Sequence, residues 1–490
     1  MTILSKGGNQ KRAESAVINF EKRWVYVLRG SSKGGDMLHL GDGRIVIEGS
    51  AFSSQDEFSV TYREKSLYVV ALSGMIEHVI PVSSDDYSSI REEASRLGCL
   101  TSLQKGQYLL PGFVDLHVHS PQWAQDGAAL DEPLERWLGK YTFPTESRFT
   151  DNRYATKVHS HLVDTLLSRG TTTVLYFDTI YRNSATGLAQ ICAEKGQRAF
   201  VGKVVMDDPE ANPEYYRETT DEAIAETERF ITEIYDLNTP QGVYPVITPR
   251  FIPSCTDKGL EALGCLASQY QCFTQTHCSE GDWEHATVWE RFGKSDAEAL
   301  NNFGLLTDKT VMHHCVYLSE SDADIFARNG AAVAHCPYSN AYFASAVCPV
   351  RRYRGQGVTV GMGTDISGGY APSMYEVIRM AAIASRMLEY GVDMKIAADR
   401  RGVPGSLMTL DQAFWLATVG GASALHVNTG RLDAGYIWDA QIVDVHAANA
   451  DLPIFDEEEE PKVVFQKIMN LSGPTNIKKV WCQGRVVYEG

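Results

Sequence analysis

Eight short runs, continuous or alternating in their apolar residues, punctuate the middle of the chain between residues 112 and 365: GFVDLHVH, TTTVLYF, RAFVGKVVM, YPVITPRF, FTQTHCSE, TVMHHCVYL, AAVAHCP and VTVGMGTD. Runs of this length and period predict strands. Amphipathic stretches with helical spacing separate them, residues 219–236 and 319–329 being clear cases. Strand and helix in strict turn predict parallel strands with crossover helices, an α/β fold, and eight such units over about 250 residues predict a (β/α)8 TIM-like barrel. A doubly wound open sheet would also alternate, but it carries a Gly-rich turn after its first strand. None follows residue 119.

The two ends of the chain read differently. KRWVYVLRG, RIVIEGS and SLYVVAL ahead of the barrel are β-rich, and the tail returns to that style in DAQIVDV and KKVWCQGRVVYEG. A small β-sandwich domain built from residues 1–110 and 427–490 is therefore expected beside a barrel of residues 111–426. A chain of 490 residues is long enough for both. The segment up to about residue 25 reads as a disordered extension.

Charge and cysteine usage narrow the function. A net charge of −17 with no basic cluster speaks against a nucleic-acid partner. The run Asp456-Glu457-Glu458-Glu459-Glu460 is most simply a solvated loop. The ten cysteines form no C-x-x-C pair, and a domain of this size needs no staples, so a reducing, cytoplasmic setting is expected. No apolar stretch approaches the roughly 18 residues of a membrane span.

The histidines carry the chemistry. In GFVDLHVH, alternation places Asp115, His117 and His119 on one face, so two imidazoles converge. His159 and His161 also stand two apart, but RYATKVHSHLVDTLLSRG has helical spacing, which turns such a pair about 200° apart and away from any shared ion. His277 in TQTHCSE, His314 in TVMHHCVYL and Asp365 in GMGTD fall at later strand ends, which meet at the C-terminal rim of a barrel. Imidazole and carboxylate donors with room for water suit zinc, and iron or cobalt would fit the same set. Read singly, His277 and His314 are also compatible with core histidines, and Asp365 with a helix cap. Adjacent strand residues face opposite sides, so His313 and His314 compete for one role. Glu280, three residues beyond His277 where the chain leaves its strand, is the candidate general acid/base, or else an N-terminal helix carboxylate. His335, in AHCPYSN at the end of the seventh strand, is a candidate ligand or hydrogen-bond donor to the reacting group, the donor role being preferred. No G-x-S-x-G, H-E-x-x-H or Walker loop offers other hydrolase chemistry.

PGFVDLHVH, THCSE, TVMHHC, AHCP and GMGTD resemble the amidohydrolase superfamily. HVHSPQ, LERWLGKYTFPTESRF, GQRAFVGKVVMD, ITPRF and GTDISGG bring the resemblance to its guanine-deaminating branch, over residues 108–425 and more faintly into both ends. The resemblance implies one Zn2+ per subunit on His117, His119, His277, His314 and Asp365, with Glu280 as proton shuttle. Asp365 would both touch the metal and orient or deprotonate the water. The family commonly has a small residue where His313 stands, which aligns His314 with the ligand; Cys315 beside it is also unusual. Gln122 and the Arg250-Phe251 pair would recognise guanine, Arg250 by donating to a carbonyl and Gln122 by matching a mixed donor and acceptor edge. A homodimer is implied as well. Deamination of another planar heterocycle, such as an oxidised purine, a pterin or a triazine, is the alternative that Gln122 and Arg250 decide. A barrel relative that had lost catalysis would show broken ligands, and this set is complete.

Overall fold

The apolar runs at the head of the chain form β1 (Ile45–Asp56), β2 (Ser59–Val70), β3 (Ile76–Pro81), β4 (Leu100–Ser102) and β5 (Gln107–Pro111). The computed structural model describes residue 40 and residues 43–343, 346–455 and 459–490. The run KRWVYVLRG, the segment up to residue 25 and most of the acidic run at 456–460 lie outside the described residues.

All eight central runs become strands: β6 (Phe113–His119), β7 (Thr171–Phe177), β8 (Arg198–Val205), β9 (Val243–Pro249), β10 (Phe273–Cys278), β11 (Thr310–His314), β12 (Ala332–His335) and β13 (Thr359–Met362). They pair in chain order and in parallel. Every residue of β6, β7 and β8 is buried, as it must be in parallel strands covered on both faces. The ring closes between β6 and the segment after β13. Asp365 N–H donates to the His117 carbonyl at 2.8 Å and His119 N–H to the Ile366 carbonyl at 2.9 Å. Asp115 fastens the same seam, accepting from the Thr364 hydroxyl at 2.7 Å and the Thr364 N–H at 3.0 Å. Gly363 allows this close approach, because a Cβ there would lie 2.6 Å from the Cβ of His117.

The crossover helices follow from local signals. Thr219 and Glu222 form a capping box that starts the helix Thr220–Leu237, and Ala223, Thr227, Phe230, Ile231 and Ile234 supply its buried stripe. The helix Asn152–Leu167 carries the second pair of histidines, which point apart. His159 is buried 2.9 Å from Asp178, while exposed His161 accepts a hydrogen bond from the Trp123 indole at 2.9 Å.

The tail adds β14 (Ala440–Asp444), β15 (Ile477–Cys482) and β16 (Arg485–Glu489) to the first five strands. The second sheet runs β16-β15-β14-β5-β1-β2-β3, with β4 beside β1, so both chain ends share it. Arg198, the first residue of β8, ties this sheet to the barrel floor. Its guanidinium pairs with Asp439 and donates to Gln483 Oε1 at 2.7 Å, and both charged residues are buried. Removing one partner strands the other charge away from water. Asp439→Ala should therefore cost about 3–5 kcal/mol in urea unfolding, and the paired change Arg198→Met with Asp439→Leu should recover most of it. Equal losses in the single and double variants would show that packing, not charge pairing, holds this joint.

Candidate active site

The C-terminal ends of β6, β10 and β11 and the turn after β13 bring His117, His119, His277, His314 and Asp365 together. Three overlapping sets, His117–His277–His314, His117–His119–Asp365 and Glu280–His314–Asp365, each have ligand-type atoms within 4.8 Å of one another. Asp365 Oδ1 lies 3.1 Å from His117 Nε2 and 3.5 Å from His119 Nε2, and Asp365 Oδ2 is 3.8 Å from His314 Nε2. The ring nitrogens of His119 and His277 face each other across 3.1 Å. Every member is buried.

Both adjacent histidines of β11 lie at this site, His314 within the cluster and His313 behind it, its Nδ1 meeting that of His117. Strict alternation would send one of them to the opposite face, but β11 ends at His314, whose φ of 68° turns the backbone out of the extended region. Asp365 and Ser279 likewise take positive φ, 52° and 51°. Such backbone costs about 1–3 kcal/mol per residue and is found where surroundings hold a functional side chain in place.

The cluster fits a metal ion on its own geometry. His277 Nδ1 donates to the Arg250 carbonyl at 2.6 Å, which leaves its Nε2 as a bare lone pair. His314 Nδ1 is held by Asn340 Oδ1 at 3.0 Å, and its Nε2 is buried without a hydrogen-bond partner, as is the Nε2 of His117. Lone pairs gathered without donors between them repel unless a cation sits among them. Two nitrogens on one tetrahedral zinc, with bonds of about 2.0–2.1 Å, stand roughly 3.3 Å apart, close to the separations seen here. Burial lowers the pKa of His117, His119 and His277, and so keeps these rings in the neutral form that binds metal.

A cavity of about 450 Å³, its open mouth included, lies against this cluster. Gln122, Arg250, Phe251 and Glu280 all line it, with Trp137, Trp283 and Phe343 as apolar wall. Glu280 Oε1 is 3.7 Å from His314 Nε2, and its main-chain N–H donates to Glu284 Oε2 at 2.7 Å. Burial pushes the Glu280 carboxyl up to about 7. His335 closes β12, buried, and is not among the residues that line the cavity. Burial lowers its pKa to about 3, which keeps the ring neutral.

The sequence reading missed the residue that organises the far wall. Glu146, fully buried, accepts from Arg250 Nη1 at 2.6 Å, from Arg250 Nη2 at 3.1 Å and from Gln122 Nε2 at 3.0 Å. It reaches this position through consecutive short helical turns, one of them a wide π turn over Leu138–Thr142. Its only signal in the sequence was membership of the motif LERWLGKYTFPTESRF. Asn340 and Glu284, which hold His314 and the backbone of Glu280, carried none.

Comparison with known proteins agrees with this geometry. The amidohydrolase family pattern matches residues 108–487. The guanine deaminase of Mus musculus is 36% identical over 440 residues, covering 86% of this chain and 94% of that protein. That of Dictyostelium discoideum is 35% identical and covers 91% and 95%. Among solved structures, a guanine deaminase from C. acetobutylicum with guanine bound in its active site superposes with a TM-score of 0.81 at 29% identity, over 91% of this chain and all of the other.

Proposed function

This chain belongs to the amidohydrolase family, and from that premise we propose that it hydrolyses guanine to xanthine and ammonia. The observation that carries the reading is one cavity with two unlike walls: a buried His/Asp cluster beside Glu280 on one side, and Arg250 and Gln122 clamped by Glu146 on the other. In this proposal His117, His119, His277, His314 and Asp365 hold one Zn2+. A bound divalent ion supplies the chemistry these residues lack, lowering the pKa of water to about 7 and so providing a nucleophile at neutral pH.

The residues of the chain do the rest. Asp365 orients the attacking water and accepts a hydrogen bond from it. Glu280 takes one proton from the water and passes it to N3 of guanine as the C2–O bond forms. It then takes the second water proton from the new C2 hydroxyl and delivers it to the exocyclic amine, which leaves as ammonia as the C2–N bond breaks and the C2 carbonyl forms. His335 stands outside the residues that line the cavity and takes no part in this scheme. Arg250 has five N–H donors and spends two on Glu146, which leaves others for the O6 carbonyl. Gln122 gives one N–H to Glu146 and accepts from the Ser367 N–H, so one donor and one lone pair remain for a mixed purine edge. The Phe251 ring adds an apolar contact. Deamination of a different planar heterocycle would use the same cluster and change only what Gln122 and Arg250 read.

Ammonia release from guanine, with adenine, cytosine and 8-oxoguanine in parallel and before and after chelation, tests this function. Chelator-sensitive turnover selective for guanine, restored by zinc, is expected. Turnover of another base would sink the substrate assignment, and chelator-insensitive turnover would sink the metal. The homodimer belongs to the same proposal, and the same preparation should sediment at twice the mass of the chain. A cytoplasmic location is also part of it, supported by ten cysteines that are all free. No helix among the described residues is long and apolar enough to cross a membrane.

A further inference from the structure

Of the four rings whose Nε2 atoms face the cluster, three are gripped from behind at Nδ1, while the Nδ1 of His119 meets no partner among the described residues. His277 is held by the Arg250 carbonyl at 2.6 Å and His314 by Asn340 Oδ1 at 3.0 Å. Both of these partners are acceptors. His117 is different, because its Nδ1 meets Nδ1 of His313 in a hydrogen bond. The two rings stand edge to face at 89° with centroids 3.8 Å apart, and His313 is fully buried one strand pairing from His277. A neutral imidazole nitrogen can donate or accept, so this pair has two arrangements with the same number of protons.

In the first arrangement His313 Nδ1–H donates to His117, and the His117 proton sits on Nε2, 3.1 Å from Asp365 Oδ1. In the second His117 Nδ1–H donates to His313, whose own proton moves to Nε2. Only the second leaves a lone pair on His117 Nε2 for a metal.

We propose that His313 is a positioning residue for the metal centre, accepting a hydrogen bond from His117 Nδ1 and thereby holding His117 in the tautomer and orientation that binds the ion. This rests on the reading of His117 as a ligand. Nε2 of His313 has no hydrogen-bond partner among the described residues, so none of them pins the ring in the opposite tautomer. Phe177, whose ring centroid is 5.0 Å from that of His313, walls the pair off from solvent. Two of the three back-side partners are backbone or amide oxygens, and the third is a side chain that serves only in its Nε2-protonated tautomer.

The test is zinc affinity of the full chain, measured by competition with a chromophoric chelator. His313→Leu keeps bulk and removes the acceptor, His313→Gln keeps an acceptor, and His117→Ala is the control for the underlying reading. His313→Leu is expected to weaken zinc binding roughly 10- to 100-fold, with His313→Gln recovering most of the loss and His117→Ala losing at least as much. If His117→Ala loses zinc while His313→Leu stays within about twofold of the parent, the inference about His313 is wrong and the ligand reading stands. If His117→Ala keeps its affinity, the ligand reading itself fails. Should His313→Leu not fold, nitrogen-labelled histidine in the zinc-loaded parent decides instead. A His313 ring protonated at Nε2 supports the proposal, and one protonated at Nδ1 overturns it.

Discussion

Glu280→Gln should lower guanine turnover roughly 10²- to 10⁴-fold while the protein keeps its zinc and its melting temperature. The amide preserves the shape of the carboxyl at the rim of the cavity and removes only its ability to take up and release a proton. Glu280 stands 3.7 Å from the nearest cluster nitrogen, and its backbone is fixed by Glu284, so the substitution leaves the donor set in place. The loss should appear in kcat with little change in KM, since a proton shuttle acts in the transition state more than in binding. Near-normal kcat would mean that another group moves the proton. Loss of zinc together with activity would make Glu280 part of the metal-holding set instead.

Arg250→Met is expected to cut kcat/KM for guanine by roughly 10²- to 10³-fold, about 2.7–4 kcal/mol, again without loss of metal. Arg250 is buried, paired with Glu146 and lines the cavity. Methionine fills a similar volume but offers no donor to a carbonyl on which charge builds during attack at C2. The substitution also leaves the Glu146 carboxylate buried without its counter-charge, so a companion Glu146→Gln change should restore stability but not turnover. Unchanged discrimination between guanine and adenine in Arg250→Met would move base recognition to Gln122 or to the backbone.

The strands and the first metal-type ligands were legible because they rest on short-range rules. Alternation over GFVDLHVH decides on its own that Asp115, His117 and His119 share a face, and His117 and His119 do reach one cluster. Helical spacing around His159 and His161 decides that the second pair diverges, as it does. The eight runs and the two β-rich ends likewise announce a barrel and a second sheet from period and order alone.

What the sequence could not decide depends on contacts between distant segments and on single backbone angles. Alternation set His313 against His314, yet both serve the site, His314 in the cluster and His313 behind His117, because β11 stops at a residue with positive φ that no local pattern marks. Glu146 looks like any helix carboxylate until the fold brings it beside Arg250, 104 positions away, and makes it the anchor of the far wall. Alternation groups Asp115 with the histidines, but it serves the seam, because the segment after β13 offers it the two donors of Thr364. Period and spacing are fixed by neighbours along the chain, so the sequence by itself determined the strands and one face of the site. The opposite wall, the partners behind each histidine and the closure of the ring are fixed by which segments meet, and only tertiary structure decided those.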